Sequence, residues 1–336
     1  MSGHLHVVAP DGVGEVRAGD DLVALVLDAL AGDGEAPVDG DVVVVTSKVV
    51  SKAEGRLRPG DRFDGLAEEL ADERVRVVAR RGPTTIVRTR LGLTMAAAGV
   101  DASNVPAGHV VLLPDDPDDS ARRLRDVIAR RTGANVAVVV TDTVGRAWRE
   151  GQTDLAIGVA GLVVLDDHAG RTDGYGNPLA VTAPAVADEV AGAAELAGGK
   201  LAARPFALVR GLERLVLPPG TDGPGARALV RPPGGDLFGY GAREAVVQAL
   251  AGERGDGGDP TPYGGPASAE EVAAAVATVG CGTPEATTGA DGVAHVVVGD
   301  ADEADRLRLR VLALAHGWTA TDDGSVVRLG PPPAGP

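Results

Sequence analysis

A single cysteine, Cys281, stands in a chain of 336 residues. One thiol can neither close a disulfide within the chain nor build a thiolate metal cluster, and a reducing cytoplasm is the natural home of such a protein. The six histidines are scattered, with no His-x-x-x-His or His-Glu pairing of the zinc-hydrolase kind, so catalytic zinc is left out. No apolar run approaches the ~20 residues that a membrane helix needs. The opening MSGHLHVVAP lacks the basic start and apolar centre of a secretory leader. A cytoplasmic protein that neither spans nor anchors to a membrane is expected.

Positive charge is also scarce. Thirty-two Lys and Arg stand against 48 Asp and Glu, a formal net charge of −16, which would repel a phosphate backbone and argues against nucleic acid as a partner. A small anion would need a local island of Lys or Arg. Gly-x-x-x-x-Gly-Lys-Ser/Thr occurs nowhere, and no Gly-x-Gly-x-x-Gly follows a strand and opens a helix, so any nucleotide is held by other means. What is present, 44% hydrophobic residues with a mean hydropathy of +0.06, describes a globular chain with enough core for more than one domain.

The densest chemistry lies in VAVVVTDTVGRAWREGQTD, Val136 to Asp154. Val136 to Val140 reads as a strand buried on both faces, with Thr141, Asp142 and Thr143 at its end. Gly145, Gly151 and a crowd of polar side chains follow. Either this is a site, or it is a strand leading into an ordinary charged turn.

Upstream, a strand at Leu5 to Val8 precedes the turn Pro10 to Glu15 and a helix near Leu22 to Leu30, capped by Asp20 or Asp21 and ended by Gly32. Val42 to Val45 is a second buried strand. It delivers Thr46-Ser47-Lys48 and then Ser51, Lys52 and Arg56, the basic island that the acidic total made worth seeking; it suits phosphate oxygens, or it is a solvated basic turn. In IVRTRLGLTMAAAGVDASN, Ile86 to Asn104, Gly92, Gly99 and Ala96 to Ala98 permit close backbone approach. Asp101 there could be a ligand, a helix cap or a turn residue.

Val110 to Leu113 reads as a strand, Ser120 to Thr132 as a helix with its arginines toward solvent, and Leu162 to Leu165 as another strand. The polar glycine loop from Asp166 to Pro178 is either a binding lid or plain surface. A helix over Ala185 to Leu196 and a strand over Phe206 to Val209 follow. Past a Gly-, Asp- and Pro-rich linker at 251–266, Ser268 and Glu271 form a capping box before a helix to Thr278. A strand at His295 to Val298, a helix over Asp302 to His316 with Leu307, Val311 and Leu314 on one face, and a strand at Val326 to Leu329 complete a small αβαβ unit.

Five of these stretches in order carry a resemblance: GDVVVVTSKVVSKAEGR (Gly40 to Arg56), RLGLTMAAAGVDASNV (Arg90 to Val105), VLLPDDPDDSARRLR (Val111 to Arg125), VVVTDTVGRAWREGQTD, and KLAARPFALVRG (Lys200 to Gly211). Together they are similar to the ligases that add L-glutamate to the deazaflavin coenzyme F420. The resemblance implies an α+β chain with the ligase fold over 1–250, the linker at 251–266 and a small domain of unassigned role at 267–332. It implies GTP as co-substrate, Mg²⁺ or Mn²⁺ with potassium as an optional further ion, and an acyl phosphate on the coenzyme precursor that the glutamate amine then displaces. Further glutamates would join through γ-carboxyls.

By the same resemblance, Val13, Gly14, Glu15 and Val16 form the N-terminal GTP contact, Ser47, Lys52 and Asn104 meet the nucleotide, and Asp101, Asp142 and Thr143 hold the metal. Lys52 and Asp142 are the expected catalytic residues. A cytoplasmic homodimer is implied, together with a separate reductase for the dehydro precursor, since the residues after 250 are too few for the nitroreductase-like domain that some relatives carry. A metal-dependent phosphohydrolase, an amide ligase for another carboxylate and a catalytically silent GTP-binding protein are the competing readings.

Overall fold

Valine runs make the centre of the molecule. In the computed structural model, which describes residues 3–72, 74–232, 235–251, 263, 266–289, 293–299 and 301–331, the chain forms two compact units, Met1–Val230 and Arg231–Pro336. In the first, β1 (His6–Val8), α1 (Leu22–Gly32), β2 (Val42–Thr46), α2 (Ser47–Ala53), β3 (Leu57–Pro59) and α3 (Arg62–Leu70) come in that order. Then follow β4 (Arg76–Arg81), β5 (Thr84–Arg88), β6 (Thr94–Ala96), β7 (His109–Val111), α4 (Pro117–Thr132), β8 (Ala137–Gly145), β9 (Gln152–Ala160), α5 (Val186–Gly198) and β10 (Phe206–Arg210).

The main sheet has the order β1-β10-β2-β8-β9, with β2 and β8 parallel at its centre and the other neighbours antiparallel. Alternate residues of β2 and β8 enter different cores. Val43, Val45, Val138 and Val140 pack with Leu22, Val26 and Leu30 of α1 and Ile128 of α4, while Val42, Val44, Ala137 and Val139 pack with Val190 and Ala194 of α5. A strand covered by helices on both faces needs an unbroken apolar run, which is what the valines supply. Two small sheets, β3-β7 and β4-β5-β6, lie beside this frame.

The α+β class expected from the sequence holds, with several local corrections. The strand after Val136 does not stop at Val140: β8 continues through Thr141, Asp142 and Thr143 and turns back as β9, with a bulge between Val140 and Thr141. Leu162 to Leu165 forms no strand, only an isolated bridge from Leu162 to Val216. The arginines of α4 do not all face solvent. Arg125 is 4% exposed, and its guanidinium donates to the carbonyls of Val136 (2.8 Å) and Thr221 (2.8 Å) and to the Asp222 carboxylate (2.8 Å).

Arg125 thereby ties α4 to the start of β8 and to the segment around residue 222. Met in its place would leave those carbonyls without donors. Arg125→Met is expected to cost about 3 kcal/mol of stability, measured by urea unfolding, because several carbonyls lose their donor at once, whereas Asp222, partly exposed, can return to water.

The second unit holds α6 (Ala242–Ala251), α7 (Ala269–Val279), β11 (Pro284–Thr288), β12 (Ala294–Gly299), α8 (Glu303–Ala315), β13 (Thr319–Asp322) and β14 (Val326–Gly330). The units part between Val230 and Arg231, so α6 belongs with the second, whereas the sequence reading drew its boundary at 250. Of the expected linker, residues 252–262 and 264–265 lie outside the described residues. The capping box of Ser268 and Glu271 is formed. The expected αβαβ order gains two strands: each of α7 and α8 is followed by a hairpin, and the antiparallel sheet runs β11-β12-β14-β13. Leu307 is exposed, and Leu309 and Leu312 carry the buried stripe of α8 in its place. Among the described residues, no helix is long and apolar enough to cross a membrane.

Candidate active site

The parallel pairing of β2 with β8 sets Thr46 beside Thr141, so β2 ends where β8 runs on past it. Chain emerging there is the natural wall of a ligand site in a parallel-centred sheet. From β2 the chain passes directly into α2, bringing Ser47, Lys48 and Lys52 to this point. β8 runs on past it with Thr141, Asp142 and Thr143, while the residue skipped in its pairing with β9 is Ile157 of β9. A cavity of about 1080 Å³ opens here. Every site residue expected from the sequence lines it: Val13, Gly14, Glu15 and Val16 from the N-terminal segment, Ser47 and Lys52 from α2, Asp101 and Asn104, and Asp142 and Thr143 from β8.

The segment carrying Asp101 and Asn104 is held in an unusual path. Ala97, Ala98 and Asn104 have φ values of 49°, 55° and 53°, in the left-handed region that Asn tolerates better than Ala. At Gly99, φ is 76° and a Cβ would stand 2.7 Å from Cγ of Leu113, so a side chain there would push the turn off its support. Asp101 is a turn residue as well as a cavity residue: its Oδ1 accepts from the Ser103 amide (2.8 Å) and its Oδ2 from the Ser103 hydroxyl (2.8 Å).

Basic side chains line the cavity. Lys52 is 8% exposed, and its ammonium donates to Glu15 Oε1 (2.6 Å) and to the Asn104 carbonyl (2.7 Å). The Lys48 ammonium donates to Ser103 Oγ (2.7 Å) and pairs with Asp101 Oδ2 (2.7 Å). Burial alone would raise the pKa of Asp101, but hydrogen bonds from Lys48 and Ser103, helped by the Lys48 charge, hold it below the usual carboxylate range.

Acidic groups line it as well. Asp142 keeps part of its surface on the cavity, yet its carboxyl is enclosed by protein and accepts from Ser47 Oγ (2.9 Å). Burial pushes its pKa up to about 7, and the nearby charges of Asp154 and Asp101 push the same way against the Ser47 hydrogen bond. Asp154, buried opposite Thr143 on β9, accepts from Thr141 Oγ1 (3.1 Å) and Thr143 Oγ1 (2.7 Å). The Lys200 ammonium donates to the same Thr143 oxygen (2.7 Å).

A carboxylate enclosed with like charges around it is a setting that a divalent cation would relieve, and Asp101, Asp142 and Thr143 present the oxygen donors that Mg²⁺ or Mn²⁺ prefers. No group of three or more His, Cys, Asp or Glu side chains among the described residues is placed to hold an ion by itself.

Lys48 and Asp154, which the sequence shows in the basic island and at the end of the Val136–Asp154 stretch without a site role, line the cavity, as do Ser103, Glu195 and Lys200, which it does not mark. Asp154 was within reach: recognising Val136 to Asp154 as a hairpin sets it directly across from Thr143. Glu195 and Lys200 sit at and beyond the end of α5, where no local pattern distinguishes them from surface charge. The glycine loop at 166–178 does not line this cavity; Asp166, His168 and Arg171 instead border a second one of about 660 Å³.

Residues 12–211 match the family model described as F420-0:gamma-glutamyl ligase. The chain is 40% identical over 246 residues to the coenzyme F420:L-glutamate ligase of Methanopyrus kandleri, an alignment covering 67% of this chain and 93% of that protein. It is 37% identical over 251 residues to the protein of the same name from Methanothermobacter thermautotrophicus, covering 70% of this chain and 98% of that one. The Halobacterium salinarum protein of that name is 41% identical over 217 residues, 58% of this chain and 82% of its own length. The matched residues contain all of the main sheet except β1, with α2, the Asp101 turn and the β8–β9 hairpin, and so the whole cavity wall: the chain belongs to the F420-0:gamma-glutamyl ligase family.

Proposed function

We propose that this chain is a GTP-dependent ligase that adds L-glutamate to the glutamate-free precursor of coenzyme F420 and then extends the tail through γ-linkages. The observation that carries the reading is the meeting of Lys52 and Lys48 with Asp101 and Asp142 on one cavity wall, where β2 ends beside β8. Joining a carboxylate to a triphosphate brings two anions together, and an acidic protein needs such a local arrangement to tolerate them.

In this reading, Ser47, Lys52 and Asn104 line the phosphate side of the nucleotide, and the segment Val13 to Val16 covers it through its backbone. Lys52 faces the γ-phosphoryl group as it passes to the precursor carboxylate, forming the acyl phosphate that the glutamate amine opens. Asp101, Asp142 and Thr143 would hold Mg²⁺ or Mn²⁺, with phosphate and water oxygens completing the shell. Bound there, the ion supplies charge neutralisation between the reacting anions. Potassium is an optional further ion. The enzyme works as a cytoplasmic homodimer in which residues 1–250 carry the chemistry, and a separate reductase treats the dehydro precursor.

The test is direct. Incubating the protein with the glutamate-free coenzyme, GTP, Mn²⁺ and L-glutamate should yield products heavier by successive glutamate residues, read by mass spectrometry, with ATP supporting the reaction poorly. Phosphate release without glutamate or coenzyme would mark a phosphohydrolase, and equal rates with ATP would refute the guanine preference.

A further inference from the structure

The carboxylates on the cavity wall are Glu15, Asp101, Asp142, Asp154 and Glu195. Four of them are engaged. Glu15 meets the Lys52 ammonium, Asp101 is held by Lys48 and Ser103, Asp142 accepts from Ser47, and Asp154 accepts from Thr141 and Thr143. The fifth, Glu195, makes no side-chain hydrogen bond or ion pair among the described residues. Val190, Ala191 and Ala194 seat α5 against the sheet and leave Glu195 half-buried beside that stripe, at the last turn before the chain swings to Lys200.

An amide-forming ligase has a need that the residues described so far do not meet. The incoming amino acid arrives as an ammonium ion, which has no lone pair to attack an acyl carbon. A base in the cavity must take its proton, and that base must not already be committed to a cation or a hydroxyl. We propose that Glu195 is this base: it receives the α-ammonium of the incoming glutamate and accepts its proton before attack.

This rests on the acyl-phosphate reading above. In the step, the amine nitrogen forms a bond to the acyl carbon and the bond from that carbon to the phosphate oxygen breaks. Of the two protons the ammonium loses, one passes through Glu195 to solvent and the other leaves on the phosphate. The charged groups that face Glu195 are Asp154 on β9 and Lys200. Burial and then the Asp154 charge hold the Glu195 pKa above the usual carboxylate range, against the pull of Lys200, which favours proton acceptance.

Glu195→Gln keeps the shape of the side chain and removes its basicity. The test compares two nucleophiles in the full-length protein with GTP, Mn²⁺ and the glutamate-free coenzyme. Hydroxylamine reacts as a neutral amine near pH 7 and needs no base, so it reports acyl-phosphate formation and an intact fold together. The expected result is that glutamate addition falls by about 10²-fold or more, that hydroxamate formation persists, and that the glutamate deficit narrows as rising pH supplies free amine. Equal losses with both nucleophiles, or unimpaired glutamate addition, would overturn the assignment. If the unaltered protein forms neither hydroxamate nor amide, the acyl-phosphate reading itself fails and takes this one with it.

Discussion

Asp142→Asn is expected to lower glutamate addition by roughly 10²–10³-fold, the several kcal/mol that a charge-neutralising ion contributes to such a transition state. The substitution nearly preserves shape: an amide oxygen can still accept from Ser47 Oγ, so the local geometry survives while the charge is lost. Asp101→Asn should have an effect of the same kind. If both side chains serve one ion, the double variant loses little more than either single one, because residues that act as a unit are strongly non-additive.

Stability should move the other way for Asp142. Its pKa in the folded protein, about 7, is raised from the ordinary value of 3.8. The group therefore binds a proton on folding, and stability of the metal-free protein falls as pH rises through that interval, the full penalty being present above about pH 7. Metal-free Asp142→Asn escapes this penalty and should melt higher than the parent at pH 8 but not at pH 4. Turnover across a Mn²⁺ titration, with thermal unfolding at both pH values, separates the possibilities. Near-normal turnover in a single variant, or independent multiplicative losses in the pair, would sink the shared-ion model; collapse of the fold would make the two aspartates structural.

The sequence disclosed the parts of this protein that depend on long local patterns. Val42 to Val45 and Val136 to Val140 read as buried strands and form them, and the residues delivered at or just past Val45 and Val140 were visible as a cluster of hydroxyls, lysines and acids. What it concealed depends on pairing. Asp142 and Thr143 read as the residues after a strand because polar side chains break the apolar run, yet Leu155 and Asp154 of β9 pair with them and keep the strand going. Burial of Arg125 was hidden for a related reason: its partners include the carbonyls of Leu217 and Thr221, far along the chain. The strands β11 and β13, PEATT and TATD, are short edge strands of small and polar residues, which carry little periodic signal. Glu195 was unreadable because what distinguishes it is the lack of a partner, a property of the folded cavity alone.

Lys52→Met should be the most damaging change among the cavity lysines. Met matches the length of the lysine stem and can occupy a slot in which the native residue is only 8% exposed, so packing is largely kept. What disappears is the ammonium that donates to Glu15 Oε1 and the Asn104 carbonyl. Glu15 is 61% exposed at its side chain and can return to water. The Asn104 carbonyl loses a donor, and the cost to folding should be about 1–2 kcal/mol. Catalysis should suffer far more. Losing one preorganised donor at a site of developing charge costs about 10²–10³-fold in turnover, and in the function proposed above the same ammonium would also hold the triphosphate in the ground state. Nucleotide affinity, measured by calorimetry, should therefore fall together with glutamate addition, while urea unfolding shifts only slightly. A variant that binds GTP as tightly as the parent would show that Lys52 does not face the phosphates. A large loss of stability with little change in activity per folded molecule would return this lysine to a purely structural role, fastening the Val13–Val16 segment to the Asn104 turn.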